Sequence, residues 1–316
     1  MTVRDAADDA PVIAIDLGGT KATVAVVTAD GRLLGRSVAS SPTGDPLAAI
    51  EGFLQRARRL PGSSDAVAVG LALPAIVNEG RIDWAASSVA RWDGFDAGRA
   101  LSATFRMPAH VSFDGYAATR GEAVFGGATG ARVAAVLILG TGFGAGVWYE
   151  GRVLEAEVGV AGAVGWDRWP LTGAGNTGRI KARLSQPAES VASGPGILAI
   201  ARLSAGDRDW PDTRSVFRAA RAHDAVAIAA INEAALVAGT VAGSLVNVVG
   251  PEIVVWSGGV GARADFAALA TRAATASCQP FAARRTRFVR SRLGAESSLM
   301  GAAAGALAAA RGRSRS

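Results

Sequence analysis

The sequence predicts an α/β protein assembled from two similar halves. Residues 12–40 and residues 133–154 each read as strand, glycine-rich turn, strand, tight turn, strand. Patterns typical of buried strands alternate with helical patterns along much of the remaining chain. Of 316 residues, 50% are hydrophobic, which is enough for a large core and excludes wholesale disorder. A chance resemblance between two hairpins is the alternative to an internal duplication.

The first half begins with three short strands. VIAID, ATVAVVT and RLLGRSVAS are separated by the glycines of LGGTK and by Asp30-Gly31, a strong hairpin signal. Residues 47–60 have helical spacing, with Asp45 as a candidate cap and Pro46 in the first turn. Two further strands are predicted, at residues 66–77 and before Asp114, and the second of them is followed by a helix over Tyr116–Phe125.

The second half repeats the strands and then becomes helical. VAAVLIL and AGVWY flank the string GTGFG, and Glu150-Gly151 marks the next turn. The motif Ser193-Gly194-Pro195 predicts the start of a helix. Beyond it we expect helices over 213–247, 266–276 and 297–310, and a strand at 252–260 that ends in a glycine turn.

Composition excludes several classes of site and gives a first expectation of location. One cysteine and two histidines do not supply a Cys/His zinc site. The net charge of +6 comes from scattered arginines, so we expect no nucleic-acid partner. The N-terminal residues lack an apolar signal core, which favours a cytoplasmic protein. Residues 225–249 read as a buried helix, and no membrane association is expected.

The first glycine turn, Asp16-Leu17-Gly18-Gly19-Thr20-Lys21, follows a buried strand. Its glycines let backbone N–H groups approach an anion, and Thr20 and Lys21 add a hydroxyl and a cation. Asp16 stands at the strand end, where its carboxylate is suited to a hydrated Mg²⁺. The alternative is a plain glycine turn with a surface lysine.

Two later glycine turns resemble the first. Gly140-Thr141-Gly142-Phe143-Gly144 is not a dinucleotide fingerprint, because a strand and not a helix follows it, and it lacks the Gly-Lys-Ser/Thr ending of a Walker A loop. Together with the first turn it suggests a phosphate clamp. Ser257-Gly258-Gly259-Val260-Gly261 leaves room for a base and ribose, or is a simple strand-to-helix turn.

Asp114 is the candidate for proton transfer. It follows the predicted strand Val111–Phe113, so its carboxylate stands where it can accept a proton from an attacking hydroxyl. Aspartate is also a favoured helix N-cap, and this structural role is the alternative.

These motifs together resemble the ROK (repressor, open reading frame, kinase) sugar kinases. DLGGTK, Asp114, GTGFGAG, EVGVAGAVGW, ESVASGP and WSGGVG occur in that family's order over roughly residues 12–310. The resemblance implies a duplicated actin/hexokinase-like (ribonuclease H-like) α/β fold with two lobes around a cleft. It places a smaller lobe at 1–115, completed by about 297–316, and a larger lobe at 116–296.

The resemblance also implies roles for individual residues. Asp114 is expected to be the general base, ATP the phosphoryl donor and Asp16 the Mg²⁺ ligand, through water. The residues expected to line the ATP site are Asp16, Gly18, Gly19, Thr20, Lys21, Gly140, Thr141, Gly142, Gly144, Gly258, Gly259 and Gly261. The residues expected near the acceptor are Ser88, Phe113, Asp114, Trp166 and Glu189.

The chain departs from the family pattern at the sugar site. The usual Gly-Glu-Ile-Gly-His string is here Gly162-Ala163-Val164-Gly165-Trp166, so a glutamate and a histidine that grip the sugar are missing. LTGAGNTGRIKARLSQP replaces the usual cysteine-rich zinc segment, so no zinc is expected. Phe113 and Ser88 stand where asparagines are usual. Trp166 is expected either to stack on a ring or to fill the core.

These departures shape the expected function. Hydroxyls of glucose would lose hydrogen-bond partners here, and each loss would weaken binding by about 1–3 kcal/mol. We therefore expect an ATP-dependent kinase that acts on a modified sugar, such as a kanosamine-like aminodeoxyhexose. The expected acceptor group is the exocyclic primary hydroxyl (6-OH type). The alternatives are a kinase of a valiolone-like C7-cyclitol or of a plain hexose, and a non-catalytic sugar sensor. Polyphosphate is an alternative donor. The family includes repressors with an extra N-terminal DNA-binding segment. Only about a dozen residues precede the first strand here, so we expect no helix-turn-helix. A homodimer is expected from the resemblance alone.

Overall fold

The computed structural model describes residues 10–155, 161–168, 187–204 and 210–313. Its central feature is a pair of five-stranded sheets with the same strand order. In the first sheet the order is β3-β2-β1-β4-β7. The strands are β1 Val12–Leu17, β2 Lys21–Val27, β3 Leu33–Ser40, β4 Val69–Leu73 and β7 Ala109–Phe113, and β5 Ala75–Asn78 pairs with β6 Arg81–Ala85 in a separate hairpin.

The second sheet repeats this plan. Its order is β10-β9-β8-β11-β12, so in both sheets a three-stranded meander is followed by two more strands on the side of its first strand. The strands are β8 Val133–Leu139, β9 Phe143–Tyr149, β10 Arg152–Val153, β11 Ile253–Ser257 and β12 Arg287–Arg290. In both sheets the first two strands pair antiparallel and the first strand pairs parallel to the fourth. The repeated topology favours duplication over a chance likeness of hairpins.

The helices connect and cover these strands. The helical segments are α1 Pro46–Ala57, α2 Ala97–Phe105, α3 Asp114–Val124, α4 Gly194–Ser204, α5 Thr213–Arg221, α6 Ala225–Val249, α7 Gly258–Gly261, α8 Ala264–Ser277, α9 Pro280–Arg285 and α10 Ser297–Arg313. The predicted cap of α1 is confirmed: the Asp45 carboxylate accepts a hydrogen bond from the Ala48 N–H at 2.9 Å, and Pro46 opens the helix.

The chain divides into two compact units. The first comprises the described residues of Met1–Gly130, Arg152–Val160 and Glu296–Ser316, and the second those of Ala131–Gly151 and Ala161–Ala295. The first unit therefore includes α3, which the sequence-based boundary at residue 115 assigns to the other lobe. Helix α3 belongs there because α10 packs along it so closely that a Cβ at Gly301 would lie 1.6 Å from the Ala117 carbonyl oxygen.

Helix α6 occupies the core of the second unit. It is the one helix of the described chain that is long and apolar enough to span a membrane by length and composition alone. Its small residues allow close packing on α8, where a Cβ at Gly239 would lie 2.4 Å from the Ala270 carbonyl oxygen. The helical stretch expected at 213–247 is in fact two helices, because Asp224 caps a new one by accepting from the Val226 and Ala227 N–H groups.

Some expected segments differ from the structure or lie outside it. Helix α3 begins at Asp114, two residues before the expected start. Helix α2, strand β6 and the edge strand β12 were not predicted, and the single strand expected at 66–77 is in fact two, β4 and β5. Residues 157–160 of EVGVAGAVGW, and residues 171–186 of the segment that replaces the zinc motif, are outside the described residues.

Candidate functional site

The first glycine turn connects β1 to β2 in the first unit. The Gly18 N–H donates to the Lys21 carbonyl at 3.0 Å and closes the turn. Ser41 braces it from β3's end, because its hydroxyl donates to the Gly18 carbonyl at 2.6 Å. The residues Gly19, Thr20 and Lys21 are exposed. The turn thus presents backbone, a hydroxyl and an ammonium group to solvent, which suits an anion.

Two carboxylates lie near this turn at the carboxyl edge of the first sheet. Asp16 is the penultimate residue of β1, and Asp114 follows directly after β7. Burial raises the pKa of Asp16 to about 6, with a further increase from the negative charge of Asp114 that the Lys21 ammonium opposes. Burial also raises the pKa of Asp114 to about 6. A carboxylate with a pKa near neutrality is suited to accept a proton.

Asp114 does not occupy the N-cap position of α3. The N-cap position is Phe113, without a side-chain capping bond, and Asp114 is the first helical residue. Helix α10 fixes its backbone, since the Ser298 hydroxyl donates to the Asp114 carbonyl at 3.2 Å. The Phe113 ring packs edge-on against Tyr116 at 5.4 Å between centroids. Backbone N–H groups at Gly115 and Asp114, in the first turn of α3, interact with the Asp114 carboxylate and oppose the increase in its pKa that burial causes.

Ser88 lies beside the first glycine turn. It is an exposed residue of the 3-10 turn Ser87–Trp92, whose Val89 and Trp92 side chains are buried in the core. A Cβ at Gly19 would lie 3.1 Å from the Ser88 Cβ. One residue predicted for the acceptor and one predicted for phosphate thus meet within the first unit.

The second glycine turn, between β8 and β9, is held at both ends in the second unit. The Gly140 N–H donates to the Gly142 carbonyl at 2.9 Å, and the Gly140 carbonyl accepts from the Gly194 N–H of α4 at 2.8 Å. At the other end the Phe143 N–H donates to the Glu189 carboxylate at 2.8 Å.

The third glycine turn lies next to the second. Strands β8 and β11 are parallel neighbours, and a glycine directly follows each of them, Gly140 after β8 and Gly258 after β11. Gly258 has a φ of +83°, and a Cβ there would lie 2.3 Å from the Leu139 carbonyl oxygen, so only glycine fits. A Cβ at Gly140 would lie 3.9 Å from the Gly259 nitrogen. The backbones of these two turns are thus close enough to contact one ligand.

A cavity of about 470 Å³ opens beside the second glycine turn. Trp166 lines it with 76% of its surface exposed, so the alternative of a space-filling core tryptophan is wrong. An exposed indole is a suitable stacking surface for a ring. The other residues on its wall include Thr141, Gly165, Glu189, Ser193 and Pro195.

The residues present fit a hydrated Mg²⁺. The described residues contain no group of three or more His, Cys, Asp or Glu able to hold a metal directly. Mg²⁺ commonly keeps several waters and uses one or two carboxylates with phosphate oxygens. Asp16, with a raised pKa and a second carboxylate nearby, would be stabilised in its ionised form by such a cation.

Comparison with known proteins gives the family. The model of the ROK family matches residues 12–309. The chain belongs to the ROK family. Among solved structures, the ROK hexokinase from Thermus thermophilus aligns with a TM-score of 0.78 at 29% identity, over 96% of this chain and 99% of that one. The duplicated actin/hexokinase-like fold expected from the sequence is confirmed by this likeness.

Other relatives of this ROK protein cover different shares of its length. A ROK glucokinase from Streptomyces griseus, solved with glucose and AMPPNP, aligns with a TM-score of 0.71 at 24% identity, over 94% of this chain and 99% of that one. The bifunctional enzyme NanE/NanK of Brucella melitensis is 30% identical over 95% of this chain, which spans 55% of that protein. A glucokinase of Halalkalibacterium halodurans is 29% identical over 80% of this chain and 81% of its own length.

Three hydrogen bonds that support the site were not predicted from the sequence, although one of their residues, Glu189, was predicted near the acceptor. Ser41 and Ser298 bind the backbone at Gly18 and Asp114, and Glu189 binds the amide of Phe143. These bonds join residues 23, 184 and 46 positions apart. No local pattern in the sequence signals such pairs.

Proposed function

We propose that this ROK protein is a kinase that transfers the γ-phosphoryl group of ATP to the exocyclic primary hydroxyl of a sugar-like acceptor. The observation that carries the proposal is the pair of carboxylates, Asp16 and Asp114, at the carboxyl edge of the first sheet beside an exposed glycine turn. Among the relatives that match are hexokinase, glucokinase and N-acetylmannosamine kinase.

Asp114 is the proposed general base. Its pKa of about 6 leaves it ionised at neutral pH, yet basic enough to accept the hydroxyl proton as the oxygen attacks phosphorus. Helix α10 positions its backbone through Ser298. Phosphoryl transfer asks little covalent chemistry of the protein, so positioning and electrostatics carry most of the rate.

The glycine turns are the proposed phosphate and nucleoside contacts. The proposed phosphate contacts are Gly18, Gly19, Thr20 and Lys21 in the first unit, and Gly140, Thr141, Gly142 and Gly144 in the second. The turn at Gly258, Gly259 and Gly261 takes the adenosine. Mg²⁺, held through water by Asp16, would neutralise charge on the phosphates when bound.

The proposed acceptor is a modified sugar, such as an aminodeoxyhexose. The cavity beside the second turn offers Trp166 as a stacking surface and Glu189 as its one carboxylate among the described lining residues. By the family resemblance, Ala163 and Trp166 stand at the positions where related kinases carry a glutamate and a histidine that bind the sugar. An unmodified hexose or an N-acylated hexosamine is the second candidate, because the names of several relatives favour it. A C7-cyclitol is the third.

One experiment tests the activity and the acceptor together. ADP release is measured with ATP and Mg²⁺ against glucose, N-acetylmannosamine, aminodeoxyhexoses and ring polyols. We expect one acceptor class to support turnover, and Asp114→Asn to lower kcat by about 10²–10⁴-fold while ATP still binds. Asp83→Asn, an exposed aspartate of the same unit, is the matched control and should leave turnover unchanged.

Two outcomes would contradict this assignment. Near-normal turnover in Asp114→Asn would remove Asp114 from its role. Sugar binding by the wild type without turnover of any acceptor, with either ATP or polyphosphate as donor, would instead favour a sugar sensor.

A further inference from the structure

We propose that Glu189 is a positioning residue for the second glycine turn, in addition to lining the acceptor cavity. Its carboxylate accepts a hydrogen bond from the Phe143 N–H at 2.8 Å, across 46 residues of sequence. The role of the turn in ATP binding rests on the proposed function. The hydrogen bond and its effect on the turn do not.

The bond acts where the turn re-enters the sheet. Phe143 is the first residue of β9 and pairs with Leu139, the last residue of β8. Its side chain is buried, so its position within the sheet is fixed by packing. The Glu189 carboxylate therefore holds the amide at the point where the glycine turn joins β9.

The neighbouring glycine shows how closely the carboxylate lies against the turn. A Cβ at Gly142 would lie 2.8 Å from the same Glu189 oxygen, Oε2, which accepts the hydrogen bond. A methyl group at residue 142 would therefore displace the end of the glutamate side chain. The bond from the Phe143 N–H to Glu189 therefore requires that residue 142 has no side chain.

The backbone of the acceptor cavity confines Glu189 from another direction. A Cβ at Gly165 would lie 3.2 Å from the Glu189 Cβ and 2.1 Å from the Phe143 carbonyl oxygen. Gly165 is part of the 3-10 turn that carries Trp166. Glu189 thus lies between the wall of the acceptor cavity and the glycine turn.

This placement links the two proposed ligands. An acceptor that hydrogen-bonds to the Glu189 carboxylate contacts the same group that holds the second glycine turn through the Phe143 N–H. Any resulting coupling is reciprocal, so acceptor binding and ATP binding should change each other's affinity by the same factor. Replacing Glu189 should weaken or remove that factor.

Two substitutions at residue 189 separate the positioning role from acceptor contact. Glu189→Gln keeps a side-chain oxygen that can accept from the Phe143 N–H, and Glu189→Ala does not. We expect Glu189→Ala to weaken ATP binding, measured by calorimetry, by about tenfold, which corresponds to one lost hydrogen bond to a charged group. Glu189→Gln should restore ATP affinity to within about threefold of the wild type while the acceptor KM stays raised.

The amide of Phe143 supplies a readout independent of catalysis. Its hydrogen exchange, followed by NMR, should accelerate at least about tenfold in Glu189→Ala and stay near the wild-type rate in Glu189→Gln. Ser190→Ala is the matched control, because Ser190 lines the same cavity but its hydroxyl donates to the Pro187 carbonyl. It should change neither ATP affinity nor this exchange rate.

A double-mutant cycle with Gly142→Ala completes the test. Each single substitution should weaken ATP binding, but Gly142→Ala should cost much less in the Glu189→Ala background, where no carboxylate remains to be displaced. Additive effects, or unchanged Phe143 exchange in Glu189→Ala, would overturn the proposal. If the wild type binds no ATP, the proposed function fails, and the exchange rates alone decide whether Glu189 orders the turn.

Discussion

Replacing Asp114 by asparagine should make the protein more stable at neutral pH, even though the proposed function requires that the same change removes catalysis. Burial raises the pKa of this carboxyl from 3.8 to about 6, so ionising it opposes folding. Between these two values the folded protein keeps a proton that the unfolded chain has released. Its stability therefore falls as pH rises through this window, and asparagine, which stays neutral, avoids the loss.

The magnitude follows from the size of the pKa change. At about 1.4 kcal/mol per pKa unit, ionised Asp114 costs the fold at most about 3 kcal/mol above pH 7. At pH 4 the same linkage costs the fold less than about 1 kcal/mol. Removing the Asp114 charge also lowers the pKa of Asp16, whose ionisation it opposes, and so adds to the gain.

The assay is urea unfolding of the wild type and Asp114→Asn at pH 4 and pH 8. The stability advantage of the variant should grow by about 2–3 kcal/mol between these values. Other titrating groups, including His110, whose pKa burial lowers to about 4, are common to both proteins and largely cancel. An advantage that does not change with pH, or a variant less stable at pH 8, would refute the reasoning. Asp83→Asn should show no such trend.

Three further outcomes are expected. The value of kcat/KM for ATP should fall about tenfold from pH 7 to pH 5, because a base with a pKa near 6 is protonated over that range, and a flat profile would exclude Asp114 and Asp16 as the titrating groups. Trp166→Ala should raise the acceptor KM but change the unfolding free energy by less than about 0.5 kcal/mol, since the indole is exposed; a large loss of stability would contradict this. Gly258→Ala should lower the unfolding free energy by more than about 2 kcal/mol and weaken nucleotide binding. Gly250→Ala, also at positive φ but with open space where its Cβ would lie, should lower it by about 1 kcal/mol. Equal losses of stability would speak against the close contact between residue 258 and Leu139.

The parts of the fold that the sequence predicted are those whose signals are local. Glycine turns between β-branched strands, and Asp45-Pro46 before α1, are read within a few residues. Strand β12 has the sequence Arg-Phe-Val-Arg and lacks the apolar run that marks a buried strand, because it lies at the sheet edge. Helix α2 and the β5–β6 hairpin also lack a strong local signal.

The residues of the candidate site were predictable from local motifs, but the contacts between them were not. Its glycines and Asp114 are the residues that local motifs mark. The bond from Phe143 to Glu189 and the approach of Ser88 to Gly19 depend on the tertiary fold. The raised pKa values of Asp16 and Asp114 likewise arise from burial, which the sequence pattern alone does not measure.

Duplication accounts for the two sheets but not for the chemistry placed on them. The first glycine turn carries its own charged groups, Asp16 and Lys21, within six residues of chain. The second has no charged residue between β8 and β9, and a glutamate from a distant segment supplies its carboxylate. Because Asp16 and Lys21 belong to the first turn itself, that turn keeps its charged groups wherever the fold is preserved. The second depends on residue 189, so a change in the proposed acceptor cavity that moves Glu189 should also move the second glycine turn. This asymmetry predicts that altering the acceptor wall will disturb ATP affinity through the second half and not through the first.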